Sequence, residues 1–118
     1  KDNIDYINAH GTSTPAGDPV ELESIKKVFK DKIPPISSTK SQTGHTLGAA
    51  GALESIFSLL MLKNSFISKT LNLSSSIDEG EGLDLVSEVR NQDLDAVMNN
   101  SFGFGGTNVS LVFEKLKS

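Results

Sequence analysis

The stretch HTLGAAGALESIFSLLMLK, residues 45–63, is almost free of charge, with Glu54 as its single acidic residue before Lys63. Its first half is mostly glycine and alanine, and its second half is a run of bulky apolar side chains. This pattern predicts a helix that extends from about residue 44 or 46 to residue 63. Because its small and its bulky residues are both apolar, we expect the helix to be buried nearly all round.

The segments around this helix alternate between strands and helices. Asp18 and Pro19 provide a helix N-cap followed by a proline at the first helical position, which predicts a helix over about 19–30 with Glu21 pointing outward. Strands are predicted at residues 3–8, 36–39, 83–89, 95–99 and 109–116, with an irregular excursion at 65–81 that includes a short extended stretch at 70–73. This order predicts an α/β fold in which a mixed sheet of about five strands packs on the buried central helix.

The composition is that of one folded domain, with 36% hydrophobic residues among 118. The net charge is −4 and there is no basic stripe with interleaved aromatic residues, so nucleic-acid binding is disfavoured. The absence of cysteine excludes disulfides and thiolate metal sites. The longest apolar run, residues 56–62, is far shorter than the roughly 20 residues of a membrane span. Because no signal peptide opens the chain, we expect a cytoplasmic protein without a membrane partner. Because a strand is already under way near Lys1, we expect this chain to be part of a longer protein.

Both histidines lie in polar loops that contain glycine. His10 lies in NAHGTSTP, residues 8–15, and His45 lies in TKSQTGHT, residues 39–46. Glycine lets the backbone approach a ligand closely, and two fixed imidazole donors suit an anion that develops during a reaction. The predicted helix start at His45 would also keep that ring neutral and able to donate. Because a nucleophile is missing, the two loops predict half of an active site.

A third glycine-rich loop, Ser101 to Asn108, places glycine on both sides of Phe104. It is either a tight turn between strands or a flexible mount that swings Phe104 across a tunnel, and the flanking glycines favour the second interpretation. Neither glycine-rich stretch has the spacing of a phosphate-binding loop. All three loops follow predicted strands, and ligands gather at strand ends in α/β sheets.

The motifs NAHGTSTPAGD (8–18), SSTKSQTGHTLGAAG (37–51) and NSFGFGGTN (100–108) resemble the C-terminal half of the β-ketoacyl-acyl carrier protein synthases. The resemblance covers nearly the whole chain, and PPISSTK (34–40) and SLLML (58–62) are more similar to type I than to type II enzymes. Ketosynthase domains of polyketide synthases share these motifs. A non-catalytic partner subunit, similar to a chain-length factor, is the alternative from a different class, and the presence of His10, Lys40 and His45 argues against it.

The resemblance implies a thiolase-like fold of two similar halves, of which this chain is the second. It implies a decarboxylative Claisen condensation in fatty-acid elongation, in which the acyl chain is held by a cysteine of the N-terminal half. The implied partners are acyl carrier protein, the N-terminal half and a second subunit in a homodimer. No cofactor is required for the chemistry, and the isolated chain is expected to be inactive.

The resemblance also implies roles for particular residues. His10 and His45 match donors to the malonyl thioester oxygen, and Phe104 matches a gate whose backbone N–H joins an oxyanion hole. The implied catalytic residues are His10, Lys40, His45 and Phe104. The implied substrate-binding residues are Thr12, Thr14 and Phe102, and the supporting acids are Asp18 and Glu54. A structural monovalent or divalent cation is implied at Asn8, Glu21, Glu54 and Asn100.

Ordinary explanations stay open for several of these residues. Lys40 could be a solvated surface amine, as most lysines are. Glu54 is a lone carboxylate on an apolar helix and must find a partner, which Lys40 or a cation could supply. The hydroxyls of Thr12 and Thr14 could cap a turn, and Glu21 could be a solvated charge on the face of its helix.

Overall fold

The computed structural model describes residues 3–71 and 80–117, which form a helix, a four-stranded sheet and a second helix in three layers. The strands are β1 (Tyr6–Asn8), β2 (Ile36–Ser37), β3 (Phe66–Ile67), β4 (Arg90–Asn91), β5 (Ala96–Phe102) and β6 (Asn108–Glu114). The helices are α1 (Gly17–Phe29), α2 (Lys40–Thr43) and α3 (Ala50–Asn64), with a 3₁₀ turn at Leu47–Ala49.

The main sheet has the strand order β2-β1-β5-β6. β1 is parallel to both of its neighbours, with Ile7 opposite Ile36 of β2 and Met98 of β5, whereas β5 and β6 form an antiparallel hairpin. The predicted α/β fold with a mixed sheet is therefore confirmed. The sheet has four strands rather than about five, because the strand predicted at 83–89 contributes only a bridge between Leu85 and Ile36.

Successive residues of β1 face opposite sides of the sheet and give each helix its own core. Tyr6 and Ile7 are both fully buried, Tyr6 on the side of α3 and Ile7 on the side of α1. The core on the α3 side consists of Tyr6, Met61, Leu62, Ile67, Val86, Leu94 and Val97. The core on the α1 side consists of Ile7, Ala9, Leu22, Ile25, Phe29 and Ile36. Because β1, β2 and β5 are parallel, their carboxyl ends lie at one edge of the sheet.

The start of α1 differs from the prediction. The helix begins at Gly17, and Asp18 is not its N-cap; instead the hydroxyl of Thr14 accepts a hydrogen bond from the Gly17 N–H (3.0 Å). The expectation that Glu21 points outward is wrong, because its side chain is buried on the face that also buries Ile25. Residues four apart share a helix face, so Glu21 is carried into the interior with the apolar stripe.

The central helix is shorter than predicted and is not buried all round. α2 ends at Thr43, because the next residue, Gly44, has a φ of 71° outside the helical region, and α3 begins only after the 3₁₀ turn. On α3, Ile56, Leu59 and Leu60 are 53%, 43% and 46% exposed. The sheet covers one side of α3, and the described residues place nothing comparable on the other side. An apolar surface therefore remains open.

The remaining differences concern the connections. The predicted irregular segment 65–81 contains β3, which pairs with β4. The extended stretch predicted at 70–73 lies partly outside the described residues. β5 continues beyond its predicted end at residue 99 and reaches Phe102. Within residues 3–71 and 80–117, no helix is long and apolar enough to cross a membrane.

Candidate active site

The three predicted loops meet at the carboxyl edge of the sheet. His10 follows β1, Lys40 opens α2 after β2, and Phe102 ends β5. The amine of Lys40 lies 3.4 Å from Nδ1 of His10, and the rings of His10 and His45 make an edge contact with 5.5 Å between their centroids. Side chains that are up to 92 residues apart in sequence are thus brought into one cluster.

The surroundings of His10 decide which of its ring nitrogens carries the proton. The Phe102 N–H donates to Nδ1 at 3.3 Å, and the Lys40 amine lies at the same nitrogen. Nδ1 is therefore an acceptor, and the proton of the neutral ring is on Nε2. Burial is the main cause that lowers the pKa of His10 to about 4, and the electrostatic effects of Lys40 and His45 are smaller contributions to the same shift. The ring is neutral near pH 7.

His45 has the same tautomer for a different reason. Its Nδ1 accepts a hydrogen bond from the Leu47 N–H (3.2 Å), so its proton is also on Nε2. Leu47 has a φ of 54°, an unusual value for a leucine, in the turn that supplies this N–H. His45 precedes the 3₁₀ turn rather than α3, so this local N–H, and not a long helix dipole, acts on the ring. In the described part of the chain, Nε2 of neither histidine is engaged in a hydrogen bond.

Lys40 is buried, so the surface-amine explanation is wrong. Its ammonium forms an ion pair with Oε1 of Glu54, whose side chain is also buried. The lone carboxylate of α3 therefore has the partner that its position required. The pair joins α2 to α3 and fixes the amine beside His10.

Glu21 has a role that the sequence did not predict. Its two carboxylate oxygens accept hydrogen bonds from the backbone N–H groups of His10 (2.8 Å) and Gly11 (2.9 Å), and Oε1 also accepts from Asn100 Nδ2 (3.4 Å). Burial raises the pKa of Glu21, whereas the hydrogen bonds from Gly11 and His10 oppose that rise. The available signal was its position four residues before Ile25 on an amphipathic helix, which places a carboxylate on the buried face.

The turn after His10 requires glycine. Gly11 has a φ of 41°, and a Cβ at this position would lie 2.8 Å from the Cβ of Ser38. The Ser38 hydroxyl donates to the Gly11 carbonyl (3.1 Å). Gly11 is thus held at its N–H by Glu21 and at its carbonyl by Ser38, a residue that the sequence analysis did not single out.

The hydroxyl-rich part of the first loop is bound mainly to itself. Thr12 lies 3.5 Å from the hydroxyl of Thr14, which caps Gly17, and Asp18 accepts from the Ser13 N–H (3.2 Å). The capping explanation therefore applies to Thr14. Asp18 supports the loop backbone, and the described contacts do not connect it to a histidine ring.

The third loop is a tight turn whose central side chain projects outward. The Gly103 N–H donates to the Thr107 carbonyl (2.8 Å), and Gly106 has a φ of 82°. Phe104 is fully exposed. Phe102, two residues earlier, lies with its ring centroid 5.4 Å from that of His10. Both interpretations of the loop agree with this geometry, and Phe104 makes no contribution to the core.

The residues implied for a cation are all buried, but most of their polar atoms have protein partners. Asn8 bonds to Thr39 and Ser58, and Asn100 bonds to Glu21 and Ser110. Two buried oxygens, Oε2 of Glu54 and Oδ1 of Asn99, have no hydrogen-bond donor among the described residues. No group of three or more His, Asp or Glu side chains that could hold a metal ion occurs in that part of the chain. Carboxylate and amide oxygens are nevertheless the ligands of hard cations, so the chemistry fits.

Comparison with known proteins gives consistent results. The family model for the beta-ketoacyl synthase C-terminal domain matches residues 1–74. The chain is 59% identical to 3-oxoacyl-[acyl-carrier-protein] synthase 1 of Haemophilus influenzae over 113 residues. These residues cover 95% of this chain and 28% of that protein. It is 54% identical over 119 residues to 3-oxoacyl-[acyl-carrier-protein] synthase 2 of Coxiella burnetii, covering 98% of this chain and again 28% of the relative.

Solved structures agree with these relatives. A beta-ketoacyl synthase from Burkholderia phymatum superimposes with a TM-score of 0.89 at 42% identity, over 98% of this chain and 28% of that one. A type II polyketide ketosynthase in complex with its acyl-carrier protein superimposes with a TM-score of 0.93 at 30% identity, over 98% of this chain and 29% of the other. The chain therefore spans a little over a quarter of the length of the proteins that it matches.

Proposed function

Because this chain belongs to the beta-ketoacyl synthase family, we propose that it supplies the carbanion-forming side of a 3-oxoacyl-acyl carrier protein synthase site. The single observation that carries this proposal is the pair of histidines with matching tautomers. Nδ1 of His10 and Nδ1 of His45 both accept backbone N–H groups, which leaves an Nε2–H on each ring for a ligand. Two Nε2–H donors in edge contact suit a carbonyl oxygen that becomes an enolate.

The proposed reaction has two bond-forming and bond-breaking stages. In the first, the bond between the malonyl carboxylate and C2 breaks, carbon dioxide leaves, and the electron pair becomes an enolate whose oxygen accepts the Nε2–H groups of His10 and His45. In the second, the enolate carbon attacks the acyl thioester carbonyl, and the carbon–sulfur bond breaks to release a thiolate. The neutral ring of His10 serves the first stage because it donates a hydrogen bond without giving its proton to the carbanion.

Lys40 acts on His10 rather than on the substrate in this proposal. Its ammonium at Nδ1 holds the tautomer and disfavours a second proton on the ring. Glu54 compensates the buried charge. A cation bound by the implied residues Asn8, Glu21, Glu54 and Asn100 would supply further positive charge near Glu54, whose Oε2 has no hydrogen-bond donor among the described residues.

The nucleophile and the partners must come from outside this chain, which has no cysteine. The proposal therefore places a cysteine in an N-terminal half, with two such subunits in a homodimer and with acyl carrier protein delivering both substrates. A related ketosynthase binds its own acyl-carrier protein, which supports this partner. Thr12 and Thr14 would line the path of the carrier arm, Phe104 would act as the gate, and the cytoplasm is the expected location.

A type I 3-oxoacyl-acyl carrier protein synthase is the subtype we propose, since a synthase 1 relative reaches 59% identity. A synthase 2 relative at 54% makes the type II enzyme the nearest alternative, while the polyketide ketosynthase structure has 30% identity. His10, Lys40 and His45 are joined in one contact cluster, which favours a catalytic chain over a chain-length-factor-like subunit.

The proposal is tested by separating decarboxylation from acyl transfer in the full-length enzyme. His10→Ala and His45→Ala should each slow carbon dioxide release from malonyl-acyl carrier protein by roughly 10²–10³-fold, while acylation of the cysteine survives at least in part. The surface variant Ser24→Ala, whose hydroxyl bonds only within α1, is the control. Unchanged carbon dioxide release in both histidine variants would remove the enolate-donor role.

A further inference from the structure

α2 has only four residues, too few to be stable by itself, yet it carries the buried Lys40. A neighbouring segment, residues 68–71, is hydrogen-bonded along it, and we call this segment the strap. Gln42 Nε2 donates to the Ser68 hydroxyl (2.9 Å), and the Leu71 N–H donates to the hydroxyl of Ser41 (2.7 Å). The strap therefore replaces the interactions that a longer helix would supply from within.

The central contact of the strap is made by Thr70. β2 ends at Ser37, so the buried Ser38 N–H has no strand partner, and it donates to the Thr70 hydroxyl at 3.0 Å. The Thr70 N–H in turn donates to the carbonyl of the fully buried Val86 (2.9 Å), and the Val86 N–H donates to the Ile36 carbonyl (2.9 Å). Thr70 thus connects the turn before α2 to the core.

Ser38 is hydrogen-bonded both to the loop that carries His10 and to α2, which carries Lys40. Its hydroxyl holds the Gly11 carbonyl, next to His10, and its own carbonyl accepts from the Ser41 hydroxyl (2.9 Å) within α2. Lys40 follows two residues later. A shift of the Ser38 backbone would therefore change the separation of Lys40 from His10.

We propose that Thr70 is a positioning residue for this reaction: its hydroxyl fixes the Ser38 backbone, and through it the placement of Lys40 against His10. Thr70 contacts neither ring and is not a catalytic residue. The inference rests on the proposed function, in which Lys40 holds the tautomer and neutrality of His10.

The test compares Thr70→Val, which keeps the side-chain shape but removes the acceptor, with Thr70→Ser, which keeps the hydroxyl. In the full-length enzyme, Thr70→Val should slow malonyl decarboxylation about tenfold, because a buried N–H loses its partner, with KM for malonyl-acyl carrier protein little changed. Thr70→Ser should match the wild type. Ile25→Val, a small truncation in the α1-side core, controls for a general loss of stability and should leave the rate unchanged.

A second measurement does not depend on activity. The pKa of His10, followed by NMR of ring-labelled histidine and assigned with His10→Gln, should rise in Thr70→Val as the Lys40 charge is withdrawn. Lys40→Met should raise it in the same way, and adding Thr70→Val to Lys40→Met should produce no further shift.

The outcomes separate the two proposals. An unchanged His10 pKa in Thr70→Val, or a shift that adds fully to that of Lys40→Met, would overturn the positioning role. Equal effects of Thr70→Ser and Thr70→Val would overturn it as well. Failure of the enolate-donor proposal would instead appear as unchanged decarboxylation in the His10→Ala and His45→Ala variants, whatever the NMR titration shows.

Discussion

Replacing Lys40 with methionine in the full-length enzyme should lower its free energy of unfolding by about 3–5 kcal/mol near neutral pH. The side chain of Glu54 is 2% exposed, and Lys40 is its one hydrogen-bond donor among the described residues. Methionine keeps an unbranched chain in the same space, so the main change is the removal of the charge. None of the described residues then donates to this buried carboxylate, and burying a charge without a hydrogen-bond donor is strongly destabilising.

Glu54→Gln should cost a similar amount because it leaves the ammonium unpaired, whereas the double variant Lys40→Met/Glu54→Gln should recover most of the loss. Additive effects would total about 6–10 kcal/mol, while a neutral pair of similar volume should cost about 2 kcal/mol or less. Urea titrations of the four proteins give the coupling energy. Arg90→Met is the matched control, since it breaks an exposed pair with Asp84 and should cost no more than about 1 kcal/mol. Additive losses in the double variant would refute the buried-pair argument.

Three further predictions concern pH, the gate and the open surface. The folded pKa of His10 is about 4, against 6.5 for an ordinary histidine, so the contribution of its neutral ring to the free energy of unfolding is fully present above about pH 6.5 and is lost as the pH falls toward 4. Decarboxylation should therefore persist at about pH 6. A pH–rate profile of decarboxylation with a midpoint at 6.5 would contradict this. Phe104→Ala should alter the rate or selectivity of acyl loading with little change in melting temperature, because the Phe104 ring is fully exposed. A large loss of melting temperature with normal acyl loading would show that Phe104 is a core residue and not a gate. The 118-residue chain by itself should show no condensing activity and should self-associate or bind an apolar dye through Ile56, Leu59 and Leu60, whereas a dye-silent monomer in sedimentation would show that this surface needs no partner.

Much of the site could be predicted because it depends on local patterns. Glycine-flanked histidines mark His10 and His45 in the sequence, and parallel strands necessarily bring their following loops to one edge of the sheet. The lone charge of Glu54 on an apolar helix also required a buried partner, and Lys40 supplies it. These predictions needed only turn residues, strand order and the cost of burying a charge, whereas the place of Lys40 in the site was predicted from the family resemblance.

The rest depends on contacts between distant segments, which no local pattern contains. Glu21 reads as an ordinary charge of a surface helix, and only the packing of α1 brings it beneath the backbone of the His10 loop. The break at Gly44 follows from a φ that the helix-like composition around it does not reveal. Thr70 has significance only because Ser38 lies beyond the last residue of β2 and requires an acceptor.

The Glu21 carboxylate also determines how slowly the backbone around the first histidine exchanges with solvent. The N–H groups of His10 and Gly11 belong to a loop, and loop amides normally exchange their hydrogen for solvent deuterium rapidly. Here both are bonded to a buried acid, so their exchange requires α1 to separate from the sheet. They should therefore retain their protons as long as core amides do, which would make this loop a rigid part of the scaffold that is already in place before any substrate arrives.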